Sequence, residues 1–185
     1  MKQTLFEFYS LLGAPIEVPQ MWWIVVPLLV VIFVMTFYFG KYINEKLGYN
    51  TALGNSVVLF FVCVDLLRNI YNYTFPASFE NYAWYPVTTA IIFIIILESI
   101  LLLSAAFKHA LPEQVMYFIA SPVAVNVQAY VMAAVVYTKA DFTFYTLFAA
   151  ILLFAIMIII LRVIKEAEHL LFGYHFGKNS IKIKK

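Results

Sequence analysis

Three charged side chains sit inside apolar runs long enough to span a lipid bilayer. Asp65 and Arg68 lie in VVLFFVCVDLLRNIYNY, residues 57–73, and Glu98 lies in AIIFIIILESILLLSAA, residues 90–106. An ionised group surrounded by hydrocarbon is strongly unfavourable unless it is paired or hydrated. Each therefore marks either a site for a cation or proton or a polar tie between helices. Asp65 and Arg68 are three residues apart, so they share a helix face and can form a local ion pair. The Arg68 stem can also carry its guanidinium outward toward the headgroups. Glu98 has no cation within reach in its own segment. Its candidate partners are Arg68 and two amides in another apolar run, Asn126 and Gln128. A carboxyl–amide hydrogen bond there would join two helices. The opposing reading places Asp65 and Glu98 in a wet cavity as cation or proton sites.

Other chemistry-bearing patterns are weaker. Glu166 and His169 form a Glu-x-x-His pair on one helical face, a spacing used by carboxylate-bridged two-metal sites. Those sites need two copies on different helices, and the sequence holds one, so an amphipathic helix end is the expected reading. The three histidines, His109, His169 and His175, all fall near one membrane boundary, which does not suit a haem held at mid-membrane. No lysine lies inside a span for a Schiff base, and no His-Glu-x-x-His, Gly-x-Ser-x-Gly or phosphate-loop motif occurs. The single cysteine, Cys63, allows no intrachain disulfide and reads as a small buried hydrophobe. No cofactor is expected. Catalysis by this chain alone is not expected either; a site shared between chains is the weakest of three functional readings.

The elements that must position these residues follow from hydropathy. Of 185 residues, 64% are hydrophobic and 12% charged, against about 25% charged in a soluble domain. One globular core cannot hide that excess, so the expected solvent is a bilayer and the expected class an all-α polytopic membrane protein. Taking about 20 apolar residues per span, five transmembrane helices are expected over residues 21–40, 51–72, 86–107, 114–137 and 142–164. Together they form a single transmembrane domain with a basic tail over 173–185. The second span is the weakest, because it holds Asn55, Asp65 and Arg68. Pro122 is expected to kink the fourth span and free the carbonyl four residues back. Leu5, Phe8, Leu11 and Leu12 fall on one face of a short N-terminal interfacial helix, expected to end at Gly13 and Pro15. Glu7, Pro15, Glu17 and Pro19 precede the first long apolar run with no basic lead-in, so that run reads as an uncleaved span.

With five spans, Lys41, Lys46, Lys108, Arg162, Lys165, Lys178, Lys182, Lys184 and Lys185 share one side, against Lys2, Lys139 and Arg68 on the other. That bias predicts a multi-pass cell-membrane protein with the N-terminus outside and the C-terminus cytoplasmic. The net charge of +2 gives no basis for nucleic-acid binding. At about 1.5 Å per residue from the cytoplasmic ends, Asp65 and Gln128 lie at roughly 21 Å, Asn126 at roughly 18 Å, Glu98 at roughly 14 Å and Arg68 at roughly 25 Å. One buried patch could therefore gather all five. The leading expectation is a non-catalytic subunit of a larger membrane complex, its polar patch used for helix–helix assembly. The alternative is a small oligomeric ion or proton transporter or channel using the carboxylates. The expected partners are the lipid bilayer and other membrane chains or copies of this one.

Overall fold

The computed structural model describes residues 2–41 and 48–176, with the backbone alone described at 36, 39–41, 161 and 164–176. Every regular element among the described residues is helical: α1 (Lys2–Glu17), a 3-10 turn (Pro19–Met21), α2 (Trp22–Lys41), α3 (Tyr49–Tyr71), α4 (Glu80–Trp84), α5 (Pro86–Phe107), α6 (Glu113–Ile119), α7 (Pro122–Thr138) and α8 (Phe144–Phe176). Residues 42–47 and 177–185 lie outside the described residues, and the first four residues of the expected tail, 173–176, continue α8.

Three helical stretches are long and apolar enough to cross a membrane: Tyr49–Tyr71, Pro86–Phe107 and the broken stretch Glu113–Thr138. The count becomes four if Lys2–Glu17 and Pro19–Met35, bent by 88°, are one span. Within α8, Phe144–Ile160 is apolar but shorter. Sequence patterning predicts five, and the third of those, 86–107, coincides with α5. Its start is set by Pro86 in the first turn, where a missing N–H costs the helix nothing.

Helix α3 packs most extensively against α5 and next against α7. Near the start of α3, Asn55 meets Ala120, just ahead of α7; past its end, Tyr73 meets Val136 in the last turn of α7. Helices α3 and α7 therefore run parallel. Helix α5 runs back between their ends: Tyr85 meets Tyr73 edge-on at 4.9 Å, while Leu102 and Ala106 cluster with Ala52 at the other end. Helix α7 is the most enclosed, buried on nearly every face from Val125 to Val136.

The N-terminal helix differs from its sequence expectation in its length and in the face it buries. It continues through Gly13 and Pro15 to Glu17. Its buried residues are Phe8, Leu11, Ala14 and Pro15, while Leu5 and Leu12 are exposed, and it packs against α8 and α7. Proline at position 15 has no N–H to give the Leu11 carbonyl four residues back. That acceptor is taken instead by the Tyr130 hydroxyl of α7, which donates to Leu11 O at 2.8 Å. A remote side chain thus repairs the helix, which is why the proline does not end it. Tyr130→Phe should lower unfolding stability in detergent by about 1 kcal/mol. The loss should shrink in a Pro15→Ala background, where position 15 again carries an N–H; equal losses in both backgrounds would contradict this role of Tyr130.

Candidate functional site

The five intramembrane candidates resolve into three separate groups around α7. The first is toward the C-terminal end of α3. Arg68 pairs with Asp65 in the same helix, and the Tyr137 hydroxyl donates to the other Asp65 oxygen at 3.0 Å. The Asp65 side chain is 27% exposed and that of Arg68 70%. Arg68 occupies the last turn of its helix, where a cation opposes the negative end of the helix dipole. So exposed a pair adds little stability. What it does is cancel the Asp65 charge, while Tyr137 fixes the carboxylate against α7.

The second group lies between α5 and α7. Gln128 Nε2 donates to Glu98 Oε2 at 2.7 Å, with both side chains half-buried. These two helices otherwise meet sparsely, since α3 is the main neighbour of each. The bond ties them directly. Arg68 is engaged with Asp65 and is not the partner of Glu98.

The third group is Asn126 alone. Residues 126 and 128 of one helix are about 200° apart around its axis, so they face opposite ways and cannot share a patch. Asn126 is 2% exposed. Its amide nitrogen donates to Pro122 O at 2.6 Å, and its oxygen is buried with no partner. It lines a cavity of about 310 Å³ bounded by α1, α2, α7 and α8. Apart from Asn126, the wall is almost entirely hydrocarbon and aromatic among the described residues, with no charged residue among them.

Glu166 and His169 lie where side chains fall outside the described residues. Among the described residues, no three His, Cys, Asp or Glu side chains converge as a metal site would require.

Several functional contacts have little signature in the sequence. Pro122 does more than kink its span: the helix breaks, α6 ending at Ile119 and α7 restarting with Ser121 as its N-cap. The Ser121 hydroxyl takes the Ala124 N–H at 3.2 Å, leaving the Ala120 carbonyl without its helical donor. Asn55 of α3 supplies one at 2.7 Å. Both Asn55 and Pro122 are visible in sequence; what links them is the parallel packing of α3 and α7.

The connection between α3 and α5 is similarly tied down. Asn81, fully buried, donates to Tyr71 O at 2.9 Å and exchanges hydrogen bonds with Thr74. The Tyr82 hydroxyl donates to Leu67 O at 3.0 Å, and Tyr73 donates to Val136 O. Lys139, in the left-handed conformation that ends α7, places its ammonium 4.6 Å from the Tyr73 ring centre. Burial, and then the neighbouring Tyr85 and Tyr137, push the Tyr73 phenol well above its ordinary value.

Comparison with protein-family models, curated proteins and solved structures finds no match to this chain. The reading of its function accordingly rests on the contacts above.

Two expectations follow. Asn55→Leu leaves the Ala120 carbonyl unpaired in an apolar setting and should cost about 1–3 kcal/mol; detergent unfolding checks it, and a neutral result would mean the break is satisfied another way. The raised Tyr73 phenol holds its proton in the folded chain after the unfolded chain has lost it. Stability is therefore full below about pH 10 and falls as pH rises from there toward the folded value. Tyr73→Phe should flatten that alkaline loss, and an unchanged slope would remove Tyr73 as its source.

Proposed function

We propose that this chain is a non-catalytic integral subunit of a larger membrane complex, its intramembrane polar groups serving as ties between helices. The observation that carries this reading is the internal use of both mid-span carboxylates. Asp65 is engaged by Arg68 and Tyr137, and Glu98 by Gln128, all from the same protomer. A cation or proton path needs carboxylates facing a wet passage, and the cavity beside Asn126 is lined by neither of them. The exposed residues Phe93, Ile94, Leu97 and Leu101 give α5 an apolar outer surface suited to lipid or to a partner helix. We infer five spans in the cell membrane, with the N-terminus outside and the C-terminus cytoplasmic. The parallel run of α3 and α7 with α5 returning between them supports three of those crossings, and the lysine and arginine bias supports the orientation.

A second reading, a small oligomeric ion or proton transporter, draws on the broken span at Ala120–Ser121, since discontinuous helices often build ion sites. Here the carbonyl exposed by the break is already taken by Asn55, which favours the first reading.

The deciding experiment compares wild type with Glu98→Gln, a change that keeps a hydrogen-bonding group beside Gln128. Native mass measurement after mild-detergent purification should show wild type and variant alike with other chains bound. Liposomes containing either should show no proton or cation flux. Flux present in wild type and abolished in an intact variant would establish the transporter reading instead. A chain that purifies alone and silent would sink the subunit reading.

A further inference from the structure

The cavity beside Asn126 exists because α1 turns away from the following helical stretch by 88° at Val18. Leu12, Pro15 and Ile16 form one wall, Trp22 to Ile32 of α2 a second, and α7 and α8 the remainder. Its volume of about 310 Å³ lies at the lower end of small-molecule sites, roughly 300–1,000 Å³. Ile16, 80% exposed, and Trp22, 44% exposed, stand on its open side.

One polar feature distinguishes this wall. The Asn126 amide cannot be turned over, because its nitrogen is held by Pro122 O and the reverse orientation would set two oxygens against each other. Its oxygen is thereby fixed as an acceptor with no donor. A buried acceptor left so is unfavourable. Water is a poor remedy: it needs two to four polar partners, and the wall offers almost nothing but carbon.

A ligand that suits this site must be apolar over most of its surface and bring one hydrogen-bond donor. Because no Lys, Arg, His, Asp or Glu lines the cavity among the described residues, neither a phosphate nor an ammonium headgroup finds a counter-charge among them. We propose that the cavity is a binding site for a neutral lipid alcohol, whose hydroxyl donates to Asn126 Oδ1 while its hydrocarbon lies along α2 and α8 and leaves past Ile16 and Trp22. Asn126 Oδ1 is sealed by the wall, so the hydroxyl reaches it only when a neighbouring side chain moves aside. The unbranched, readily repacked Met157 in the same wall allows a small adjustment. The site is independent of the carboxylate ties and of the assembly role inferred from them.

The test uses the full chain in phosphatidylcholine nanodiscs with three diazirine-bearing probes sharing the same acyl chains: a diacylglycerol, its O-acetyl form and a phosphatidic acid. Photolabelling is mapped by peptide mass measurement. The diacylglycerol should label α2 and α8 peptides saturably, about two- to tenfold more than its O-acetyl form, the range one net hydrogen bond supplies. Phosphatidic acid should label no better than the O-acetyl form. Asn126→Leu should abolish the preference, and Leu153→Phe, which fills the cavity and leaves Asn126 in place, should reduce labelling by all three probes. Equal labelling by diacylglycerol and its O-acetyl form in wild type would overturn the proposal. So would a preference for phosphatidic acid, or labelling spread evenly over all lipid-facing helices. The wild-type comparison decides the matter even if Asn126→Leu does not fold.

Discussion

A hydrocarbon solvent offers no donor to a backbone carbonyl, so any carbonyl that loses its helical partner inside the bilayer must be supplied by the protein. Much of this chain's tertiary structure is an answer to that constraint. Pro15 strips the donor from Leu11 O, and Tyr130 provides one. The break before Pro122 strips it from Ala120 O, and Asn55 provides one. At the end of the bundle where α3 and α7 finish, Asn81 serves Tyr71 O and Tyr73 serves Val136 O. Each repair joins segments distant in sequence, so the bonds that satisfy the backbone also fix which helices are neighbours. Apolar packing alone would leave that choice loose, since lipid tails are as apolar as leucine.

The charged groups obey a related rule. Asp65 and Arg68 neutralise each other within one helix and present a polar edge to Tyr137, while Glu98 meets an amide from α7. Helix α7 donates a side-chain hydrogen bond to each of three other helices: to Asp65 of α3, to Glu98 of α5 and to the Leu11 carbonyl of α1. Its own sequence, with small residues at Ala129, Ala133 and Ala134, lets those neighbours approach closely. A central, enclosed helix thus carries polar groups at several depths, each aimed at a different neighbour.

The helical class and the third span could be read from hydropathy, and the Asp65–Arg68 pair from a spacing of three. Gln128 was one of the amides expected to meet Glu98, and the structure pairs them. The single patch did not form. Depth alone had grouped Asn126 with Gln128, whereas the 100° advance per helical residue separates them onto opposite faces. The tyrosine contacts were hidden for a different reason. Tyr73, Tyr82, Tyr130 and Tyr137 lie in apolar or interfacial stretches where a tyrosine reads as a packing or belt residue, and nothing local says which carbonyl or carboxylate its hydroxyl will meet. The face that α1 buries was equally illegible. Leu5 and Leu12 fit an interfacial face as well as Phe8 and Leu11 do, and only the acceptor opened by Pro15 selects the stripe that is buried.

The bond between Leu11 and Tyr130 spans 119 residues of chain. A ribosome releases Leu11 long before it has made Tyr130, and in that interval the Leu11 carbonyl has only water to turn to. Helix α1 thus cannot complete its own backbone bonding until α7 has been made. A helix made early is finished by a residue made late.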